Sequence, residues 1–343
     1  MKKILITGGF GFLGTQLTDL LSRDKNASVH VVDSLATNPV DLDYYLDEIG
    51  RPNNLTYTIS TVEAYFAKYG FTKYDEIYHL ASPVGPAGVL AHAGNMVREI
   101  VRDTYLMIDY CLKMKAKLLD VSTSEVYGGG QQGYCPESTP KIVPPKTTVR
   151  LEYAMGKLAA ETAVTNMCRV HGLKAVIVRP FNVAGQRQSP KGGFVLPRFL
   201  QQADAGLPLT VFGDGSAIRA FTHVEDMVEG IRLALAHGTY GEAYNIGNPH
   251  NRTTILELAK KVIQITGSKS RIEHVDPKTI YGPLFEDAND KYPDAKLAMS
   301  QLGWAPKHDI DRIIRDTYDD FKRQKQKGVL KDNVAGGAVS PAK

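Results

Sequence analysis

Tyr153 and Lys157 stand four positions apart in Tyr-Ala-Met-Gly-Lys, a spacing that puts a phenol and an ammonium on one face of a helix. Positive charge beside a phenol lowers its pKa from about 10. Such a pair could accept a proton from a hydroxyl near neutral pH while hydride leaves the carbon that bears it. A second polar run, Ser122-Thr123-Ser124-Glu125-Val126-Tyr127-Gly128, follows an apolar, strand-like segment. The hydroxyls of Thr123 and Ser124 could hold the reacting oxygen, and the Glu125 carboxyl could move a proton at a neighbouring carbon. Each run also has a plainer meaning when it stands alone: a packed tyrosine with a surface lysine, and a polar turn after a strand.

A glycine pattern near the start joins them. Thr7-Gly8-Gly9-Phe10-Gly11-Phe12-Leu13-Gly14 follows an apolar run and opens a helical one. Gly8 suits a tight turn, Gly11 a close approach of backbone to a pyrophosphate, and Gly14 close packing of helix on strand, with the helix N-terminus as the anion seat. About 20 residues on, Val31-Val32-Asp33 ends a second strand with a carboxylate where a ribose diol would lie. Asp33 would accept both hydroxyls and repel a 2′-phosphate. No Arg or Lys follows it closely, so the cofactor expected is NAD rather than NADP. The third strand ends in Ile59-Ser60 and offers no carboxylate for the adenine.

These residues require a parallel sheet to position them. Strands are predicted from Lys3 to Thr7, Ser28 to Asp33, Leu55 to Ile59, Glu76 to Leu80, Lys117 to Ser122 and Lys174 to Arg179. Helices begin near Gly11, Val62, Asn95 and Arg150, the alternation of an α/β, Rossmann-type doubly wound parallel sheet. After Arg179 the loops carry more Gly and Pro, and a smaller, partly interleaved α/β substrate-binding lobe is expected, with helices near Glu225 to Ala236 and Thr254 to Thr266 and a C-cap at Gly267. The division expected is 1–180 for the dinucleotide, with some later segments returning to it, 181–327 for the substrate, and a mobile tail over 328–343.

The chain of 343 residues is 43% hydrophobic and 23% charged with a formal net charge of +4, which excludes a disordered chain and gives no basic block for nucleic acid. Cys111, Cys135 and Cys168 have no metal-ligand spacing, so no metal is expected, and they suit reduced thiols in the cytoplasm. No run approaches the roughly 18 apolar residues of a membrane span. Met1-Lys2-Lys3 before an apolar run imitates a secretory leader, but the glycines of the dinucleotide pattern occupy that run.

In order and spacing, TGGFGFLG, His79-Leu80-Ala81-Ser82, STSEVYG and Tyr153 to Lys157 resemble the extended short-chain dehydrogenase/reductases, the NAD-dependent nucleotide-sugar epimerase/dehydratase family, over roughly residues 1–320. The resemblance implies that Gly8, Phe10, Gly11, Phe12, Leu13, Gly14, Asp33, Leu80, Ala81, Ser82, Tyr153 and Lys157 surround the cofactor. It implies catalysis by Thr123, Glu125, Tyr153 and Lys157. On the substrate side it implies Ser124, Asn182, Arg198, Val211, Arg219, Lys291 and Asp294, with Arg219 gripping a diphosphate. Many relatives have arginine where Lys291 stands; a lysine neutralises a phosphate as a point charge without the fork. A homodimer built on two helices per subunit is also implied, and Val97 to Lys113 and Leu151 to Cys168 carry apolar residues on more than one face, as burial against sheet and partner requires.

Thr123-Ser124-Glu125 most resembles the UDP-glucuronate decarboxylases, in which oxidation at C4 creates a β-keto acid that loses carbon dioxide. A 4,6-dehydratase typically has an Asp where Ser124 stands. Pro83 to Val89 is smaller than the usual decarboxylase stretch, which suits a roomier pocket and a 4-epimerase that rotates its ketone. A non-catalytic, NAD-binding regulatory protein would be free to lose Thr123, Tyr153 or Lys157, and all three are present.

Overall fold

The structure, a computed structural model, describes residues 1–330 except 71, 129–132, 144, 146 and 288–289. The expected mobile tail over 328–343 lies, from 331 onward, outside the described residues.

The first half alternates as its periodicity predicts. Strands β1 (Lys2–Thr7), β2 (Ala27–Asp33), β3 (Leu55–Ile59), β4 (Glu76–His79), β5 (Lys117–Val121), the short β6 (Tyr134–Cys135) and β7 (Ala175–Pro180) are interspersed with helices α1 (Phe12–Ser22), α2 (Leu42–Glu48), α3 (Val62–Tyr69), α4 (Gly85–Ala91), α5 (Met96–Met114) and α6 (Val149–His171). A parallel sheet of seven strands runs β3-β2-β1-β4-β5-β7 and ends with Ala243–Ile246, which returns from the second half to pair with β7. Strand order reverses between β1 and β4, and the crevice beyond the carboxyl ends at that point is where such sheets bind ligands.

Both sheet faces are covered. On one, Ile4, Ile6, Val29, Val31, Leu119, Val176 and Val178 pack against α1 and the Val224–His237 helix. On the other, Leu5, Ile77, Leu118, Ala175 and Ile177 meet Val62, Met107, Ile108 and Val164 of α3, α5 and α6. That second face turns polar at the strand ends: continuing the alternation, Leu5 gives way to Thr7, Ile77 to His79, Leu118 to Asp120 and Ile177 to Arg179, all buried. A separate core gathers Leu196, Phe199, Leu209, Val211, Phe221, Leu258 and Ile313. Its Ile255–Thr266 helix starts with a reciprocal Thr254–Glu257 capping box and ends at Gly267 in the left-handed conformation expected of it.

Two early helices escape periodicity. α2 is a short turn started by Asp41, whose carboxylate accepts from the amides of Asp43 and Tyr44. α4 contains Pro86 and two glycines and reads as loop, yet it forms because Pro is tolerated in a first turn. Phe194 fills the space beside one of its small residues, where a Cβ at Gly85 would lie 2.7 Å from the ring, whereas a Cβ at Gly88 would meet only the Pro83 carbonyl carbon at 3.8 Å. Likewise a Cβ at Gly14 would lie 2.0 Å from the carbonyl oxygen of Gly8. Gly14→Ala therefore forces α1 off β1 and is expected to cost about 2 kcal/mol or more in urea unfolding; an unchanged midpoint contradicts the packing described.

Candidate functional site

At the crevice, Gly8 turns with φ +71, where a Cβ would strike the Ala81 amide at 2.7 Å, so the backbones of the glycine loop and of Leu80–Ser82 are nearly in contact. α1 begins at Gly11 with no side-chain cap and no acidic residue in its first turn, leaving its amides to a ligand. A Cβ at Gly11 would meet only the Gly8 carbonyl, at 3.4 Å. Asp33 is nearly buried and accepts from the amides of Phe10 (2.9 Å) and Leu35 (2.7 Å). Burial raises its pKa, opposed by those amides and that of Gly11. The uncapped helix, the open Gly11 position and an acceptor at the end of β2 fit a dinucleotide without a 2′-phosphate. Phe10 does not face the crevice: it is buried edge-on between Tyr45 and Tyr57, so only its backbone serves the loop.

α6 lays Tyr153, Lys157 and Glu161, four residues apart, along one buried line over the strand ends. Thr148 caps this helix, and Glu152 accepts from the amides of Gly94 and Met96 at the start of α5. The Thr123 side chain lies near enough to Tyr153 to pull the phenol's pKa down, so the structure brings the expected base and hydroxyl together. The part of the lowering expected from Lys157 is corrected. Burial pushes the phenol's pKa well up; the Thr123 side chain and Arg150 lower it, and Glu125 raises it. Lys157 instead donates to the Val121 carbonyl at 2.8 Å and answers to Asp120, Glu161 and Asp103.

Glu161 is held from β7 by a bidentate pair with Arg179 (2.9 and 2.6 Å) and accepts from Ser122. Arg179 also donates to Tyr127 (2.8 Å), and Tyr127 to Asn245 (2.7 Å) on the returning strand. None of these partners announces itself in sequence, except that Glu161 continues the four-residue spacing of Tyr153 and Lys157.

Glu125 is corrected as a mover of protons. Its Oε1 meets Lys291 (2.6 Å) and Arg150 (2.8 Å), and its Oε2 accepts from Arg150 Nε at 2.9 Å. Burial acts to raise its pKa, but the two cations outweigh it and bring it down to about 2, so it is an anion at neutral pH with both oxygens engaged. Arg150 was not singled out by the sequence; its position three before Tyr153, on the same side of α6, was the available signal. Ser124 is buried in the 3-10 turn that follows Thr123.

The remaining expected substrate residues scatter. Val211 is corrected: it is fully buried in the second core, and the alternation of its strand sends Phe212 the other way. Phe212 lies under the Arg198 guanidinium (4.0 Å) beside Tyr281 and Phe285. Arg219 binds Asp287 (3.1 Å) and Asp290 (3.5 Å), and Lys291 faces Glu125 rather than open space. Asn182 adopts φ +36 and donates to the Ala220 carbonyl. Asp294 accepts from the Lys296 amide, the geometry of a helix cap.

Among the described residues one group, His223, Glu225 and His308, has the proximity of metal ligands. His223 accepts the Glu225 amide at Nδ1 and therefore carries its proton on Nε2, toward Asp316. Both ring nitrogens are engaged, which leaves no lone pair for an ion.

Since the Glu125 pKa falls from 4.5 unfolded to about 2 folded, its ion pairs contribute stability that is complete above pH 4.5 and lost as pH falls toward 2. The stability gap between wild type and Glu125→Gln is expected to be level above pH 5 and to close below pH 4.5 in urea titrations; a gap unchanged at pH 3 contradicts the cluster.

Comparison with known proteins agrees with this geometry. UDP-glucuronic acid decarboxylase 1 of Danio rerio is 32% identical over 329 residues, covering 94% of this chain and 73% of that protein. UDP-N-acetyl-alpha-D-glucosaminuronate decarboxylase of Bacillus cytotoxicus is 30% identical, with 94% and 98% covered. The solved structure of UDP-glucose 4-epimerase from Thermotoga maritima with UDP-glucose superposes with a TM-score of 0.81 at 25% identity, covering 94% of this chain and 99% of that one. The model of the NAD dependent epimerase/dehydratase family matches residues 4–247, and with a doubly wound sheet, an uncapped glycine turn and a Thr-Tyr-Lys site in place, the chain belongs to that family.

Proposed function

We propose that this protein decarboxylates a UDP-linked uronic acid after oxidation at C4. The observation that carries this reading is the Glu125 cluster, which gathers two cations, Arg150 and Lys291, on one buried carboxylate near the Thr123–Tyr153 pair. A sugar carboxylate at C5 of a substrate whose C4 hydroxyl reaches Tyr153 would compete with Glu125 for those cations. NAD, when bound on the glycine loop, supplies a reversible hydride acceptor. Gly8, Gly11 and Gly14 shape its seat, Asp33 receives the ribose diol, and Lys157 has further N–H groups to offer it.

Thr123 orients the C4 oxygen, and Tyr153 takes its proton. Because burial raises the free phenol's pKa, the residue needs added positive charge to act as a base, so proton transfer is confined to the loaded site. The 4-ketone and C5 carboxylate then form a β-keto acid, which releases carbon dioxide. Arg150 and Lys291 stabilise the enolate left behind, and Glu125 holds those cations in place. The proton taken up at C5 comes from water, since Glu125 is ionised and doubly bound, and Tyr153 returns its proton to the C4 oxygen as that carbon regains its hydride to give the pentose.

Incubation with NAD and UDP-glucuronate, and in parallel with UDP-N-acetylglucosaminuronate, is followed by proton NMR and carbon dioxide release. Gas with a UDP-pentose or its 2-acetamido counterpart is the expected result. A uronate inverted at C4 without gas replaces the proposal with epimerisation, and no change in either substrate overturns it. Tyr153→Phe is expected to lower kcat by about 10³ or more while NADH binding, read by fluorescence, persists.

The assembly we propose is a homodimer through α5 and α6, whose outer face exposes Tyr105 (42%), Met155 (39%) and Val170 (70%) around a cleft also lined by Leu158 and Met167. Light scattering is expected to give the dimer mass, and Tyr105→Glu with Met155→Glu the monomer mass; a wild-type monomer overturns the arrangement. No helix among the described residues is long and apolar enough to cross a membrane, and Cys111, Cys135 and Cys168, which form no disulfide, support a reducing, cytoplasmic setting.

A further inference from the structure

Asp120 has no part in the mechanism above, yet it is 1% exposed, in the middle of the sheet, one residue before the carbonyl that Lys157 grips. Its Oδ2 is fully buried without a hydrogen-bond partner. A carboxylate in that condition costs stability, so its presence calls for a functional reason.

The charged surroundings narrow that reason. From α6 Asp120 faces Lys157 and Glu161, and Glu161 is already matched by Arg179 of β7 and by Ser122. On β4 its register partner is His79, which shares a hydrogen bond with Thr7 (2.7 Å) and is kept neutral by burial and by Lys157. From α5 Asp103 adds a weaker pull on Lys157. Once Glu161 is assigned to Arg179 and Asp103 to Arg102, Lys157 is a buried ammonium hydrogen-bonded to the Val121 carbonyl, and Asp120, the residue before that carbonyl, is the anion that pulls on it most strongly.

We propose that Asp120 is a positioning residue of the reaction, the buried counter-charge that holds Lys157 in its ammonium form beside Tyr153 and the cofactor seat. The inference rests on the assignment of Tyr153 and Lys157 above. Burial raises the Asp120 carboxyl to about 6, against the opposing pull of Lys157. It is therefore ionised at neutral pH and lost as a partner in acid.

Two consequences separate this role from a structural one. Asp120→Asn imitates the protonated acid. The ionisation penalty of wild type grows between the unfolded pKa of about 4 and the folded value near 6, so the variant is expected to melt no lower than wild type at pH 7.5. Without the counter-charge, Lys157 loses its proton at lower pH. The alkaline limb of the kcat profile is expected to move down by about one pH unit while the acid limb stays in place.

The test pairs that profile with NADH affinity, read by fluorescence from pH 5.5 to 9.5, which needs no turnover. In Asp120→Asn the affinity is expected to fall off about one unit earlier than in wild type, with the two proteins converging below pH 6. Asp120→Ser is the second variant should the amide fail to fold. NADH profiles of both proteins that overlay across the range overturn the proposal, as does a variant that melts lower with its pH profile unmoved. If no nucleotide sugar turns over, the reading of Tyr153 fails, and the NADH profile still decides the role of Asp120.

Discussion

The buried ion pair between Glu161 and Arg179 is the constraint on which the site's geometry depends. α6 carries its chemistry in steps of four residues, so fixing Glu161 against β7 fixes the rotation and the axial position of Lys157 and Tyr153 over the strand ends. A helix packed only through Val164 and Ala160 could slide or roll at little cost; a bidentate guanidinium cannot be satisfied elsewhere. Removing one partner would strand a charge in the interior, which gives such a pair more value for uniqueness of arrangement than for net stability. Through Tyr127 and Asn245 the same network ties the catalytic helix to the last strand of the sheet.

Electrostatically the free site is held away from reaction. The phenol is driven toward its neutral form by burial, His79 is kept uncharged, and the Glu125 carboxylate is saturated by Arg150 and Lys291. Charge is thus stored in pairs next to the reacting position rather than on the base itself. Arg219 follows the same rule, with Asp287 and Asp290 as its partners.

Much of this was legible before the coordinates. Six of the seven strands of the first half follow from β-branched runs, all but the two-residue β6, and the turn of Gly8, the acid at Asp33 and the Tyr153–Lys157 face follow from spacing alone. What sequence does not carry is partner choice. Glu125 reads as a free acid because Arg150 and Lys291 come to it from a helix start and from the far end of the chain. The sign of the Tyr153 shift depends on burial, which no local pattern reports. Val211 is different, since Leu209-Thr210-Val211-Phe212 already alternates and assigns Phe212 to the face opposite the core. α4 was hidden by Pro86 and its glycines, and the space beside Gly85 is claimed by Phe194, a residue distant in sequence.

The strand Ala243–Ile246 has a consequence for how the molecule is made. Until it arrives, β7 is an open sheet edge, Tyr127 lacks the Asn245 carbonyl, and a row of backbone donors is exposed. During synthesis that edge waits until residues 181–242 have been added. The catalytic helix is thus anchored late, by a segment that the ribosome delivers after most of the second core, and a polypeptide cut after Pro180 keeps Thr123, Arg150, Tyr153 and Lys157 while losing Lys291 and the strand that closes their sheet.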